Sequence, residues 1–185
     1  MRELTTVDKL QRLMEALGQA SQGPGRVYFV GGSTAVLEGW RSSTKDVDLK
    51  LDPEPPGVFE AIRRLKDELH INIELAAPDQ FIPAVPGWES RSRYIGAVAQ
   101  VEFLHYDPVG QALAKIERGH AQDRADVLAM HRGGLIDPDG LADGFAAIQK
   151  ELVRYPALDA EAFAAKVESM LTQLRANDQA DPDGD

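Results

Sequence analysis

Leu10, Leu13, Met14 and Leu17 recur at i, i+3, i+4 and i+7, which predicts a helix over Thr5–Leu17 with Gly18 capping its end. A Gly/Pro loop to Arg26 follows, and then a short buried strand over Val27–Val30 that breaks at Gly31-Gly32. A short helix begins at Ser33 and runs to Leu37. From Lys45 to Leu51 the chain alternates strictly: Val47, Leu49 and Leu51 face one way, and Asp46, Asp48 and Lys50 the other. Pro53, Pro55, Pro56 and Gly57 form a stiff turn before a helix marked by Val58, Ile62, Leu65 and Leu69. Ile71, Ile73 and Leu75 define a third strand with Asn72 and Glu74 opposite. Residues 76–96 are expected to be loop, and Val98–Tyr106 a fourth strand. After Pro108 the pattern is helical over 109–118, 121–131, 140–154 and 160–175. This order implies an α/β (α+β) fold, a mixed sheet flanked by helices, with a C-terminal helical bundle. The expected organisation is a core over 1–135, helices packed on it over 136–176, and a disordered acidic tail over 177–185.

Composition narrows the chemistry. None of the 185 residues is cysteine, which excludes disulfides, thiolate metal sites and a cysteine nucleophile. Apolar runs of about five residues fall far short of the ~20 that span a bilayer. The start MRELTTVDKL has no apolar signal core, so a cytoplasmic protein is expected. The net charge of −10 argues against tight non-specific binding to a polyanion, though not against a local basic groove. The four histidines show no metal-ligand spacing, and no G-x-S-x-G elbow or Walker G-K-[ST] occurs.

The candidate chemistry centres on Asp46 and Asp48. Two residues apart on a strand, they point to one side about 6–7 Å apart. Like charges there repel, and a bound Mg²⁺ resolves the conflict because it prefers hard oxygen ligands and substrate phosphates. Gly31-Gly32-Ser33 forms a strand-to-helix turn that lets a phosphate approach the backbone, with Ser33 adding a hydroxyl. Glu74, on the polar face of the next strand, makes a third carboxylate if that strand pairs alongside. Lys115 flanks the stripe of Ala112, Leu113 and Ile116, where it could neutralise triphosphate charge. Arg41 stands five residues before Asp46 and suits a triphosphate or RNA. Trp88, Arg91, Arg93 and Tyr94 combine aromatics with arginines in one loop, as stacking on bases requires. Each feature also has a plain structural reading: a solvated strand face, a turn with Ser33 as N-cap, an exposed glutamate, a surface lysine or arginine, a local tryptophan anchor.

The segment VYFVGGSTAVLEGWRSSTKDVDLKL, with ALAKIERGHAQDRADVLAM after it, resembles the DNA polymerase β-type nucleotidyltransferase superfamily. The nearest look is to its small bacterial branch of AbiEii and MenT toxin-type nucleotidyltransferases, over roughly residues 25 to 132. The resemblance implies that Gly31, Gly32, Ser33 and Arg41 hold the nucleotide, together with Lys115 and Asp123. It implies that Asp46, Asp48 and Glu74 bind Mg²⁺ or Mn²⁺, and that Asp46, Asp48, Glu74 and Lys115 are catalytic. Glu74 stands where most members have aspartate, and Gln122 where many have lysine. The implied activity is transfer of NMP from an NTP to a hydroxyl acceptor. An RNA, a tRNA 3′ end first, is the implied acceptor, in a toxin–antitoxin setting with a cognate antitoxin protein. The alternatives are a catalytically silent module that binds nucleotide or protein, and an aminoglycoside-type small-molecule nucleotidyltransferase.

Overall fold

The structure, a computed structural model, describes residues 3–180. The chain forms two compact units. Among the described residues, the first comprises 3–77 and 92–106 and the second 78–91 and 107–180.

In the first unit a five-stranded mixed sheet has the order β3-β2-β1-β5-β4. The strands are β1 (Gly25–Val30), β2 (Asp46–Leu51), β3 (Asn72–Leu75), β4 (Arg93–Val98) and β5 (Val101–His105). β1 runs antiparallel to β2 and parallel to β5, β2 and β3 are parallel, and β4 and β5 form an antiparallel hairpin. Helices α1 (Val7–Ala20), α2 (Gly32–Leu37) and α3 (Val58–Glu68) accompany them. The apolar parity of the strands and stripes of the helices meet in one core: Leu10, Leu13 and Leu17 from α1, Ile62 and Leu65 from α3, and Phe29, Leu49, Ile73 and Phe103 from the sheet. Hydrophobic burial of this kind stabilises by roughly 1.5–3 kcal/mol for each large side chain.

Two expectations change here. α1 does not stop at Gly18 but passes through it to Ala20. Gly18 serves close approach instead, because a Cβ there would stand 2.4 Å from the Cβ of Val98. Residues 76–96 are not simply loop: a 3₁₀ turn (Pro78–Gln80), the short helix α4 (Trp88–Arg91) and most of β4 lie among them. β4 escapes a pattern-based reading because its turn to β5 lacks Gly and Asn. Ala99 supplies the left-handed residue, φ 53°.

The second unit contains α4, α5 (Pro108–Arg118), α6 (Ala121–Arg132), α7 (Pro138–Ile148), a 3₁₀ stretch (Gln149–Arg154) and α8 (Ala160–Ala180). Phe145 and Phe163 meet edge to face at 5.0 Å in its interior. α5 starts at Pro108 behind Asp107, whose carboxylate accepts from the N–H groups of Val109 at 3.0 Å and Gly110 at 3.2 Å. α8 continues through Ala180 into the stretch expected as tail, and residues 181–185 lie outside those described.

Candidate active site

Strand parity and register build the carboxylate face. Asp46 and Asp48 alternate with buried Val47 and Leu49, so both leave the core side of β2. In the parallel β2–β3 ladder Asp46 is opposite Asn72, and Asp48 is opposite Glu74. All four side chains therefore share one face of the sheet. Asn72 Nδ2 donates to Asp46 Oδ1 at 2.8 Å and to Glu74 Oε1 at 2.7 Å, so one amide bridges two carboxylates. The bridge was not visible in the sequence, because it depends on which residue of one strand faces which of the other.

The glycine turn stands at the end of β1, next to this face, since Val30 is the register partner of Asp48. Gly31 has φ 61°, and a Cβ there would lie 3.1 Å from Asp48 Oδ2. A side chain at Gly31 would thus be strained and would crowd the carboxylate. Gly32 makes room for a neighbour rather than for a ligand: its missing Cβ would fall 2.1 Å from Thr44 Oγ1. Arg41 Nη1 is 3.6 Å from that same position, so the guanidinium reaches the turn. Ser33 is fully buried, and its hydroxyl finds no hydrogen-bond partner among the described residues.

A second polar cluster in the same unit was missed at the sequence level. His105 Nε2 is 3.0 Å from Glu38 Oε1, and its Nδ1 is 3.3 Å from the Thr34 hydroxyl. Arg93 also donates to Glu38. Burial drives the imidazole pKa down to about 4; Glu38 opposes that and Arg93 assists it. The cluster ties the end of α2 to β4 and β5.

Lys115 and Asp123 belong to the second unit, with Asp126. Lys115 is buried there with its ammonium 2.6 Å from Asp126 and 3.8 Å from Asp123. Burial raises the Asp123 carboxyl, but the Arg118 bonds, Lys115 and the His120 N–H outweigh it and hold the group below the ordinary aspartate value. The loop arginines are committed as well. Arg91 grips the fully buried Asp107 through Nε at 2.9 Å and Nη2 at 2.8 Å, and also donates to the Pro86 carbonyl. Arg91 and Arg93 thus form ion pairs with Asp107 and Glu38, and Tyr94 is exposed.

As hard oxygen donors on one face, Asp46, Asp48 and Glu74 suit a divalent cation in kind. They do not close round a point: among the described residues no three His, Cys, Asp or Glu side chains form a ready metal cluster. No helix among those residues is long and apolar enough to cross a membrane.

Residues 3–175 match the family model DUF6036, described as "Nucleotidyltransferase of unknown function". The chain belongs to that family. The match spans both units, so the family comprises the helical unit as well as the sheet with its carboxylates. Neither the curated proteins nor the solved structures contain a match. Nucleotidyltransferases generally use an NTP and a divalent metal.

Proposed function

We propose that the protein transfers a nucleoside monophosphate from an NTP to a hydroxyl acceptor, at the face formed by Asp46, Asp48 and Glu74. The observation that carries this is the register of β2 and β3, which sets three carboxylates on one face beside the Gly31-Gly32 turn. Membership of a nucleotidyltransferase family supports it. Asp46 and Asp48 would hold Mg²⁺ or Mn²⁺, with Glu74 as a shared ligand or as the base for the acceptor hydroxyl. A divalent cation held there would supply charge neutralisation for the triphosphate and polarisation of the reacting oxygens. In the transfer the acceptor oxygen would bond to the α-phosphorus as the bond to the departing pyrophosphate breaks, and the acceptor's proton would pass to the Glu74 carboxylate, or to water where Glu74 serves as a ligand. Gly31 keeps the turn open beside Asp48, and Arg41 reaches it with a cation suited to phosphate.

The proposed acceptor is RNA, a tRNA 3′ end first, as the resemblance implies, with a toxin–antitoxin role and a cognate antitoxin following from it. Arg91 and Arg93 are paired with Asp107 and Glu38. Arg41 and exposed Lys45 remain near the carboxylate strand. The test incubates pure protein with Mg²⁺, each labelled NTP, and either total RNA or an aminoglycoside. Label in RNA that falls steeply with added salt supports the proposal, because phosphate contacts release counterions. Label in the aminoglycoside alone moves the acceptor to a small cation, and label in neither sinks the activity.

A further inference from the structure

Resting on that reading of the carboxylate face, we infer that Asn72 is a positioning residue for the cation: its amide gathers Asp46 and Glu74 and presents both to a divalent ion. The two bonds come from one nitrogen, 2.8 Å to Asp46 Oδ1 and 2.7 Å to Glu74 Oε1. An amide NH₂ has two hydrogens, so each carboxylate receives its own bond. The bound oxygens can then be no farther apart than those bonds laid end to end. Two like charges on one face would otherwise swing away from each other. The amide opposes this without adding charge, and it engages one oxygen of each carboxylate while the other can ligate.

The arrangement also answers the glutamate at position 74. Glutamate has one more rotatable bond than aspartate, and loses more freedom when fixed. Asn72, two residues earlier on the same strand face, restrains that longer arm before any ion arrives. Partners that orient metal ligands commonly change metal affinity 10–100-fold when removed.

Mn²⁺ binding, read directly by the loss of its free-ion electron paramagnetic resonance signal, separates the inference from the reading beneath it. Wild type should bind Mn²⁺, and Asn72→Ala about tenfold more weakly, with an unchanged melting temperature in chelator. Asn72→Leu keeps the volume of the side chain and lacks the donors, so it should show the same loss even if the alanine variant folds poorly. Equal or tighter binding by a folded variant overturns the role of Asn72 while leaving the metal face standing. Wild-type protein that binds no Mn²⁺ overturns the metal face, and the inference with it.

Discussion

Asp48 is constrained from two sides: Glu74 is its register partner on β3, and a Cβ on Gly31 would come within 3.1 Å of its Oδ2. Asp48→Asn keeps the shape and removes one of two adjacent negative charges. The melting temperature should hold or rise slightly. NMP transfer should fall by about a hundredfold or more, as when one preorganised electrostatic group is lost. Labelling by the asparagine variant at the wild-type rate would remove Asp48 from the chemistry. Gly32 makes a different prediction. Because its missing Cβ would meet Thr44 Oγ1 at 2.1 Å, Gly32→Ala should destabilise by roughly 1–3 kcal/mol. Thr44→Ala in the same chain should recover part of that loss in urea unfolding. No recovery would mean that the strain lies in the backbone of the turn.

At the scale of elements, the cluster of His105, Glu38, Arg93 and Thr34 couples α2 to the β4–β5 hairpin. The imidazole pKa is near 4 in the fold against 6.5 as an ordinary value, so the unfolded chain takes up the proton first. Stability is therefore fully present above about pH 6.5 and is lost as pH falls toward 4, by an amount on the order of a few kcal/mol. Urea unfolding at pH 7 and at pH 4.5 should show this loss in wild type and a smaller one in His105→Gln. In the second unit, Asp126→Ala leaves Lys115 buried without its nearest carboxylate and should cost about 3–5 kcal/mol. Replacing both by apolar residues, Lys115→Met with Asp126→Leu, should regain most of it. A single variant as stable as wild type would show that Lys115 finds another carboxylate, Asp123 being the nearest at 3.8 Å. The elements differ in how openly the sequence announces them. β2 and β3 are legible because alternation fixes which residues leave the core. β4 is not, because a hairpin that turns on Ala99 carries no glycine or asparagine signal. The structural role of Arg91 is hidden for another reason: Asp107 is 16 positions away, and neither residue marks the other.

Across the whole molecule, parity placed Asp46 and Asp48 on one face in advance, and register then put Glu74 beside Asp48. The division into units was beyond sequence pattern, since residues 78–91 join helices that begin at Pro108. Only contacts distant along the chain decide that. Cation binding by the sheet unit should appear as added stability. Mn²⁺ at ten times its dissociation constant contributes about 1.4 kcal/mol. Calorimetry with Mn²⁺ and then with chelator should show a melting transition that rises by a few degrees and falls back. The shift should vanish in Asp48→Asn, and a shift that persists there would place the ion elsewhere.

The notch at Gly18 acts on the hairpin like a detent on a sliding rule. β4 meets β5 with an irregular step between Tyr94 and Gly96, so hydrogen bonding alone specifies the pairing less strictly than an unbroken ladder would. Val98 fills the space that any other residue at position 18 would occupy, only 2.4 Å from where a Cβ would begin. A slip of one residue would set an alanine, Ala97 or Ala99, over that gap and leave it partly empty. The helix thus selects the alignment that its groove was shaped to receive. Widening position 18 to alanine while trimming Val98 to alanine should yield a folded chain whose hairpin amides exchange with solvent faster than those of β1 and β2.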